Sequence, residues 1–62
     1  MKKAWYHVYS LKTEQDELYV DNYEKAKSHA NQLVNNDFKD VVIAKCENEY
    51  EDSPENIIVV LN

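Results

Sequence analysis

An unbroken aliphatic run, Ile57–Leu61, is the feature that most limits how this chain can fold. A strand with one face in water alternates apolar and polar residues, because successive side chains point to opposite faces of the sheet. A run without alternation predicts a strand that is covered on both faces. The rest of a 62-residue chain must then supply two covers, or another molecule must supply one of them.

The length of the chain fits a single domain over residues 1–62. A domain of about 60 residues buries only roughly 60% of its unfolded surface, so it is marginally stable and usually needs a disulfide, a metal or a partner. Cys46 is the single cysteine, which excludes an intrachain disulfide and fits a reducing compartment. We expect Cys46 to behave as a small buried hydrophobe, because no activating cluster surrounds it in the sequence.

The charge balance argues against direct binding to nucleic acid. Seven lysines and no arginine oppose twelve acidic residues, which gives a net charge of −5, whereas nucleic-acid binders present a basic surface. No apolar run approaches the roughly 20 residues that cross a bilayer. The first residues also lack the small-residue cleavage site of a signal peptide. We therefore expect a cytoplasmic protein with neither a nucleic-acid nor a membrane partner.

Hydrophobic periodicity predicts four strands and one helix in the order ββαββ. The strands are expected at residues 4–11, 17–20, 40–47 and 57–61. The helix is expected over 22–35, with Asp21 as its N-cap and an apolar stripe along one side. The sequence contains no glycine, so asparagine and aspartate should fill turns that need positive φ, with Asn35 or Asn36 ending the helix.

This order predicts a small α+β two-layer domain, in which a four-stranded, mainly antiparallel sheet carries one helix on one face. Pairing Lys12 with Glu17 across the first hairpin gives a favourable charge pair and sets the register of the first two strands. The expected strand order is 2-1-4-3, which places the aliphatic last strand in the middle of the sheet.

One helix of about four turns covers one face of a small sheet, so the other face needs a different cover. We expect Ala44 and Cys46 beneath the helix, because small residues suit close packing. The helix-free face is then predicted to carry the partner-binding residues Tyr6, Val8, Tyr19, Val41 and Ile43. Such a patch usually marks an interaction site, and the same face of a second copy is its simplest cover. The alternative is a partial barrel that buries both faces.

A second candidate site is an acidic patch that follows the third strand. Its members are Glu47, Glu49, Glu51 and Asp52. If the strand continued, alternate carboxylates would lie about 6.8 Å apart, which resembles the charge spacing of nucleic acid. This pattern suggests an acidic inhibitor, a nucleic-acid mimic that masks a basic site on a nucleic-acid-processing protein, as a phage-type accessory protein does. Solvated charge that protects an edge strand and a poorly matched metal loop are the alternatives.

The sequence carries no recognisable catalytic motif. His7 and His29 are its only imidazoles, and neither stands at a metal-ligand spacing from Cys46 or an acid. Phosphate loops and nucleophile elbows need glycines, which the chain lacks. We therefore expect a non-enzymatic, homodimeric protein–protein interaction module without a cofactor or a metal. A thiol or metal enzyme built on Cys46 and the two histidines is the remaining alternative, and it requires an exposed Cys46.

Overall fold

The strands and the helix follow one another in the predicted order. The computed structural model describes residues 4–13, 15–50 and 52–61. Its elements are β1 (Trp5–Ser10), β2 (Leu18–Val20), α1 (Tyr23–Asn35), β3 (Val41–Cys46) and β4 (Glu55–Leu61). The four strands form one open antiparallel sheet, so the predicted small α+β ββαββ domain is confirmed.

The strand order is β2-β1-β3-β4, and the predicted order 2-1-4-3 is wrong. β3 lies between β1 and β4, and its first four residues are fully buried. β4 lies at the edge, and its register with β3 slips between Ile43 and Ala44, which leaves Ile58 as an extra residue. An extra residue interrupts the alternation of side chains in a strand. The aliphatic run therefore does not require a strand with two covered faces.

β1 and β2 also pair in a different register from the predicted one. His7 lies opposite Tyr19. The predicted pairing of Lys12 with Glu17 would instead place His7 opposite residue 22, a shift of three residues. The difference is an odd number of residues, which moves every β2 side chain to the other face relative to β1. The predicted face assignments of the first two strands fail for this reason.

The helix begins one residue later than the cap prediction implies. Asn22 is the N-cap, and its side-chain oxygen accepts a hydrogen bond from the Lys25 amide at 3.1 Å. Asp21 was the predicted cap, and that prediction is wrong. The predicted end at residue 35 is correct, because the Asn36 amide already closes the last turn by donating to the carbonyls of residues 32 and 33.

Aspartates occupy the positions that glycine would ordinarily fill. Asp16, Asp37 and Asp40 have φ values of 60°, 66° and 52°. Aspartate adopts the left-handed conformation at lower cost than most other residues, because its short polar side chain can hydrogen-bond to the nearby backbone. The expectation that Asn and Asp replace glycine is confirmed, although Asn35 and Asn36 are not the left-handed residues.

α1 covers the sheet face opposite to the predicted one. The sheet residues packed with the helix in the core are Tyr6, Val8, Val20, Val41, Ile43, Val59 and Leu61. The inner side of α1 is formed by Ala26, Ala30 and Leu33, and two of these are small, so bulky sheet residues fit beneath it. Ala44 and Cys46 alternate with Ile43 along β3 and therefore lie on the other face. The prediction that they pack under the helix is wrong.

Candidate interaction surface

The face of the sheet away from α1, here called the helix-free face, is built from alternate residues of all four strands. Its members are Trp5, His7 and Tyr9 of β1, Tyr19 of β2, Val42, Ala44 and Cys46 of β3, and Glu55, Ile57 and Val60 of β4. Val42 and Ala44 are fully buried although no helix lies over them. Larger side chains of β1 and β4 flank them on both sides, and most of the centre of the face is thereby closed by the chain itself.

An imidazole held between two phenol rings occupies the β1–β2 half of this face. The His7 ring stacks on Tyr19 with 4.0 Å between ring centroids and an angle of 8° between planes. On its other side it stacks on Tyr9 at 4.3 Å and 28°. The two contacts follow from the register, because Tyr19 is the cross-strand partner of His7 and Tyr9 is its same-face neighbour along β1. His7 is buried as a result.

Each nitrogen of the His7 ring faces a carboxylate. Nε2 lies 2.9 Å from Glu17, and Nδ1 lies 3.2 Å and 3.3 Å from the two oxygens of Glu55. An ionised carboxylate only accepts hydrogen bonds, so both contacts form when the imidazole carries a proton on each nitrogen. We define the His7 cluster as His7, Tyr9, Tyr19, Glu17 and Glu55. It ties the start of β2 and the start of β4 to the middle of β1.

Glu55 also affects two weak acids beside it. Burial raises the pKa of the Tyr9 hydroxyl, and the charge of Glu55 and a hydrogen bond to it raise that pKa further. Burial likewise raises the pKa of the Cys46 thiol, again with the Glu55 charge in support and against a smaller opposing effect of a hydrogen bond with Ser53. Both groups therefore keep their protons above the pH at which they would ordinarily lose them.

Cys46 is buried at the end of β3, as the sequence predicts. Its Sγ lies 3.3 Å from the Trp5 carbonyl oxygen and donates a hydrogen bond to it. A nucleophilic cysteine is a partly exposed thiolate in an electropositive setting. Cys46 has the opposite environment, and the thiol-enzyme alternative lacks the exposed cysteine that it requires.

Among the residues that the structure describes, the histidines are not grouped with other ligand residues into a metal site. Within residues 4–13, 15–50 and 52–61, no three His, Cys, Asp or Glu side chains are grouped so that they could hold a metal ion. His7 directs its two nitrogens to carboxylates on opposite sides, and the Nε2 of His29 lies 2.6 Å from the Asp16 carbonyl oxygen. Both imidazoles thus have structural partners.

The β4 half of the face is aliphatic and exposed. Ile57 and Ile58 are each 48% exposed, and Val60 is 65% exposed. We call these three residues the β4 strip. Ile57 and Val60 lie opposite Ala44 and Val42, so they belong to the helix-free face, whereas Ile58 is the extra residue between them. Three adjacent aliphatic side chains on an edge strand form an apolar surface that water contacts in the isolated chain.

Four of the five predicted partner-binding residues lie under α1. Tyr6, Val8, Val41 and Ile43 pack in the helix-covered core, and the last three are fully buried. The prediction that they lie on the helix-free face is wrong, because it depended on the wrong register and on the wrong side of β3 for the helix. Tyr19 does lie on the helix-free face, where it is half-buried in the His7 cluster.

The acidic patch lies in the connection between β3 and β4. Glu47, Glu49 and Asp52 are exposed there, and Glu51 lies outside the described residues. β3 ends at Cys46 and the following residues form bends and a turn. The regular spacing expected of a continued strand is therefore absent in this segment.

Sequence reasoning missed the His7 cluster and the β4 strip for two different reasons. The cluster depends on the β1–β2 register and on Glu55, which is 48 residues away from His7 in the chain. The sequence does contain a signal for the cluster. Trp5 and Tyr9 lie two residues before and after His7 and therefore share its face of the strand. The strip was missed because an unbroken aliphatic run predicts burial on both faces, whereas here it contains a bulge.

The described part of the chain contains no helix that is both long enough and apolar enough to cross a membrane. Comparison of the chain with protein-family models, with curated proteins and with solved structures finds no match.

Proposed function

We propose that this protein is a non-enzymatic protein–protein interaction module that forms a homodimer through the β4 side of its helix-free face. The observation that carries the proposal is the β4 strip, in which Ile57, Ile58 and Val60 are all exposed within four residues of one edge strand. Isolated exposed apolar residues are ordinary, but contiguous ones usually mark an interaction site. The gain from covering them is roughly 25 cal/mol for each Å² of apolar surface removed from water.

The size of the chain supports the same proposal. A domain of about 60 residues has a small core, and association with a second copy is one of the few ways to enlarge it. Twofold dimers are the commonest assembly of identical chains. The half-buried Tyr9 and Tyr19 flank the centre of the same face, and tyrosine is enriched among residues that dominate binding energy. The face therefore has aliphatic residues on its β4 edge and aromatic residues in its β1–β2 half.

Light scattering across a dilution series tests the proposal. We expect a mass of two chains, twice 7.3 kDa, at tens of micromolar, with dissociation on dilution. Raising the salt concentration should leave the dimer intact, because apolar association does not depend on exposed charge pairs. A mass of one chain at every concentration would refute the homodimer.

A second candidate function is favoured by the exposed Glu47, Glu49 and Asp52 between β3 and β4. In this alternative the protein is an acidic inhibitor that masks a basic site on a nucleic-acid-processing protein. Its complex would weaken as salt rises, since exposed charge pairs are screened over about 8–10 Å. Pull-down of a basic partner at low but not high salt, with loss in a Glu47→Gln/Glu49→Gln variant, is the expected result. Equal recovery with the variant and the unchanged protein would contradict it.

A further inference from the structure

We propose that two copies join along the outer edge of β4, in an antiparallel pairing that sets Ile57 of one copy opposite Val60 of the other. This inference rests on the proposed homodimer and specifies its contact. It turns two four-stranded sheets into one continuous sheet, with both helices on the same side. Three features of the molecule support it: the difference between the two sheet edges, the distribution of charge and the bulge in β4.

The two edges of the sheet differ in how they are protected. β2 is three residues long and is bordered by the acidic residues Asp16, Glu17 and Asp21. β4 is seven residues long, and residues 56–61 carry no charge and no proline. Short length, charge and proline are the usual means by which edge strands avoid pairing with another chain. Beyond Glu55 at its first position, β4 has its bulge as protection, so it is the edge better suited to adding a strand.

The helix does not obstruct this edge. α1 packs mainly on β1, β2 and β3, and β4 borders this core through the inward-facing Val59 and Leu61. Among the described residues, β3 is the only strand that pairs with β4. The outer backbone groups of β4 are therefore positioned to pair with those of a second strand, and the β4 strip lies beside them.

The distribution of charge favours pairing along the β4 edge and in the antiparallel direction. Each copy carries a net charge of −5, so two copies repel each other unless they meet where acidic residues are sparse. β4 holds one of the twelve acids, Glu55, at its first position. In the proposed register the two Glu55 residues lie about 24 Å apart along the strands, which exceeds the Debye length of about 8 Å at physiological salt. Parallel pairing would place them about 5 Å apart.

The bulge in β4 favours the register that pairs Ile57 of one copy with Val60 of the other. Directly opposed residues of an antiparallel pair share a face of the sheet. Ile57 and Val60 both lie on the helix-free face and are separated by two residues because Ile58 is extra. Setting Ile57 opposite Val60 of the other copy also sets Asn56 opposite Leu61, and both of these lie on the helix side. A register shifted by two residues toward the start of β4 would instead place Glu55 against the exposed Val60.

Engineered cysteines test the register directly. The proposed pairing brings position 57 of one copy within about 4.5–5.5 Å (Cα–Cα) of position 60 of the other, which suits a disulfide. Positions 57 and 60 of the same copy are about 10 Å apart, as are the two copies of position 57. We expect the Ile57→Cys/Val60→Cys variant to become a covalent dimer with oxidised glutathione, and neither single variant to do so. The unchanged chain is the control, because Cys46 is buried.

The outcomes separate this inference from the proposed function. A two-chain mass by light scattering together with no crosslink in the double variant would overturn the register while leaving the homodimer intact. Crosslinking of the single variants as fast as the double variant would also overturn it. A one-chain mass for the unchanged protein would refute both. Circular dichroism of each variant confirms that the fold is retained, as expected for substitutions of exposed residues.

A charge exchange gives a second test that needs no oxidation. Ile57→Glu alone and Val60→Lys alone should each weaken the dimer, because each places an unpaired charge in the contact. The double variant places each glutamate opposite a lysine of the other copy and should recover most of the lost affinity. Losses that simply add in the double variant would contradict the proposed pairing.

Discussion

At the scale of single residues, the structure separates aliphatic side chains that the sequence makes look alike. Ile43 and Ile57 both sit in apolar runs, yet Ile43 is fully buried beneath α1 and Ile57 is 48% exposed on β4. Residue type alone cannot distinguish them, because the distinction depends on strand order and on which face the helix covers. The burial of Cys46, by contrast, could be predicted, since a lone cysteine in a strand without an activating cluster commonly packs as a hydrophobe.

The helix-covered face can be checked with one buried residue. Ile43→Ala should lower the free energy of unfolding by about 2–5 kcal/mol, because it removes methyl groups from a closed core and leaves a cavity. Leu11→Ala is the matched control, since Leu11 is 58% exposed, and it should change stability by less than about 0.5 kcal/mol. Urea unfolding measures both. Equal effects of the two substitutions would mean that the helix covers the other face.

The raised pKa values of Tyr9 and Cys46 predict a loss of stability at alkaline pH. Both groups hold their protons more tightly in the folded chain than in the unfolded one, so the folded state binds more protons once the unfolded groups begin to ionise. Stability is then full below the ordinary thiol pKa of 9.0 and falls as the pH rises above it.

A Tyr9→Phe variant isolates the phenol contribution. Its free energy of unfolding should fall less steeply between about pH 9 and 11 than that of the unchanged chain. Tyr50→Phe is the control, because Tyr50 is 65% exposed. Identical slopes for the Tyr9→Phe variant and the unchanged chain would contradict the raised Tyr9 pKa.

At the scale of elements, the existence and type of every strand and helix could be predicted. The order of the strands in the sheet and their registers could not. Capping residues and periodicity are local signals, and they located α1 to within one residue at its start. Register and strand order depend on contacts between distant segments. A single extra residue, Ile58, was enough to make an edge strand resemble a central one.

The cap of α1 gives a test at this scale. Asn22→Ala should cost about 0.5–2 kcal/mol, because the Lys25 amide loses its side-chain acceptor at the helix start. Asn31→Ala removes the same side chain from the exposed side of the helix, where alanine is the better helix former, and should be neutral or slightly stabilising. Thermal unfolding of the two variants distinguishes them. A loss for Asn31→Ala as large as that for Asn22→Ala would contradict the assigned cap.

At the scale of the whole molecule, one helix covers one face, and the other face is closed in its centre by residues of the sheet itself. The sequence predicted that the uncovered face would be broadly apolar. Instead His7 lies between Tyr9 and Tyr19 with a carboxylate at each nitrogen, and the exposed apolar surface is displaced to β4. The contact in the proposed dimer is thereby confined to one edge of the sheet.

The most direct test of the proposed association compares two substitutions that introduce the same charge. Val60→Glu lies in the β4 strip, and Leu11→Glu lies outside β4 at a similarly exposed position. Sedimentation equilibrium should show that Val60→Glu weakens dimerisation by at least about tenfold, which is 1.4 kcal/mol, while Leu11→Glu leaves the dissociation constant nearly unchanged. Equal dissociation constants for the two variants would contradict association through β4.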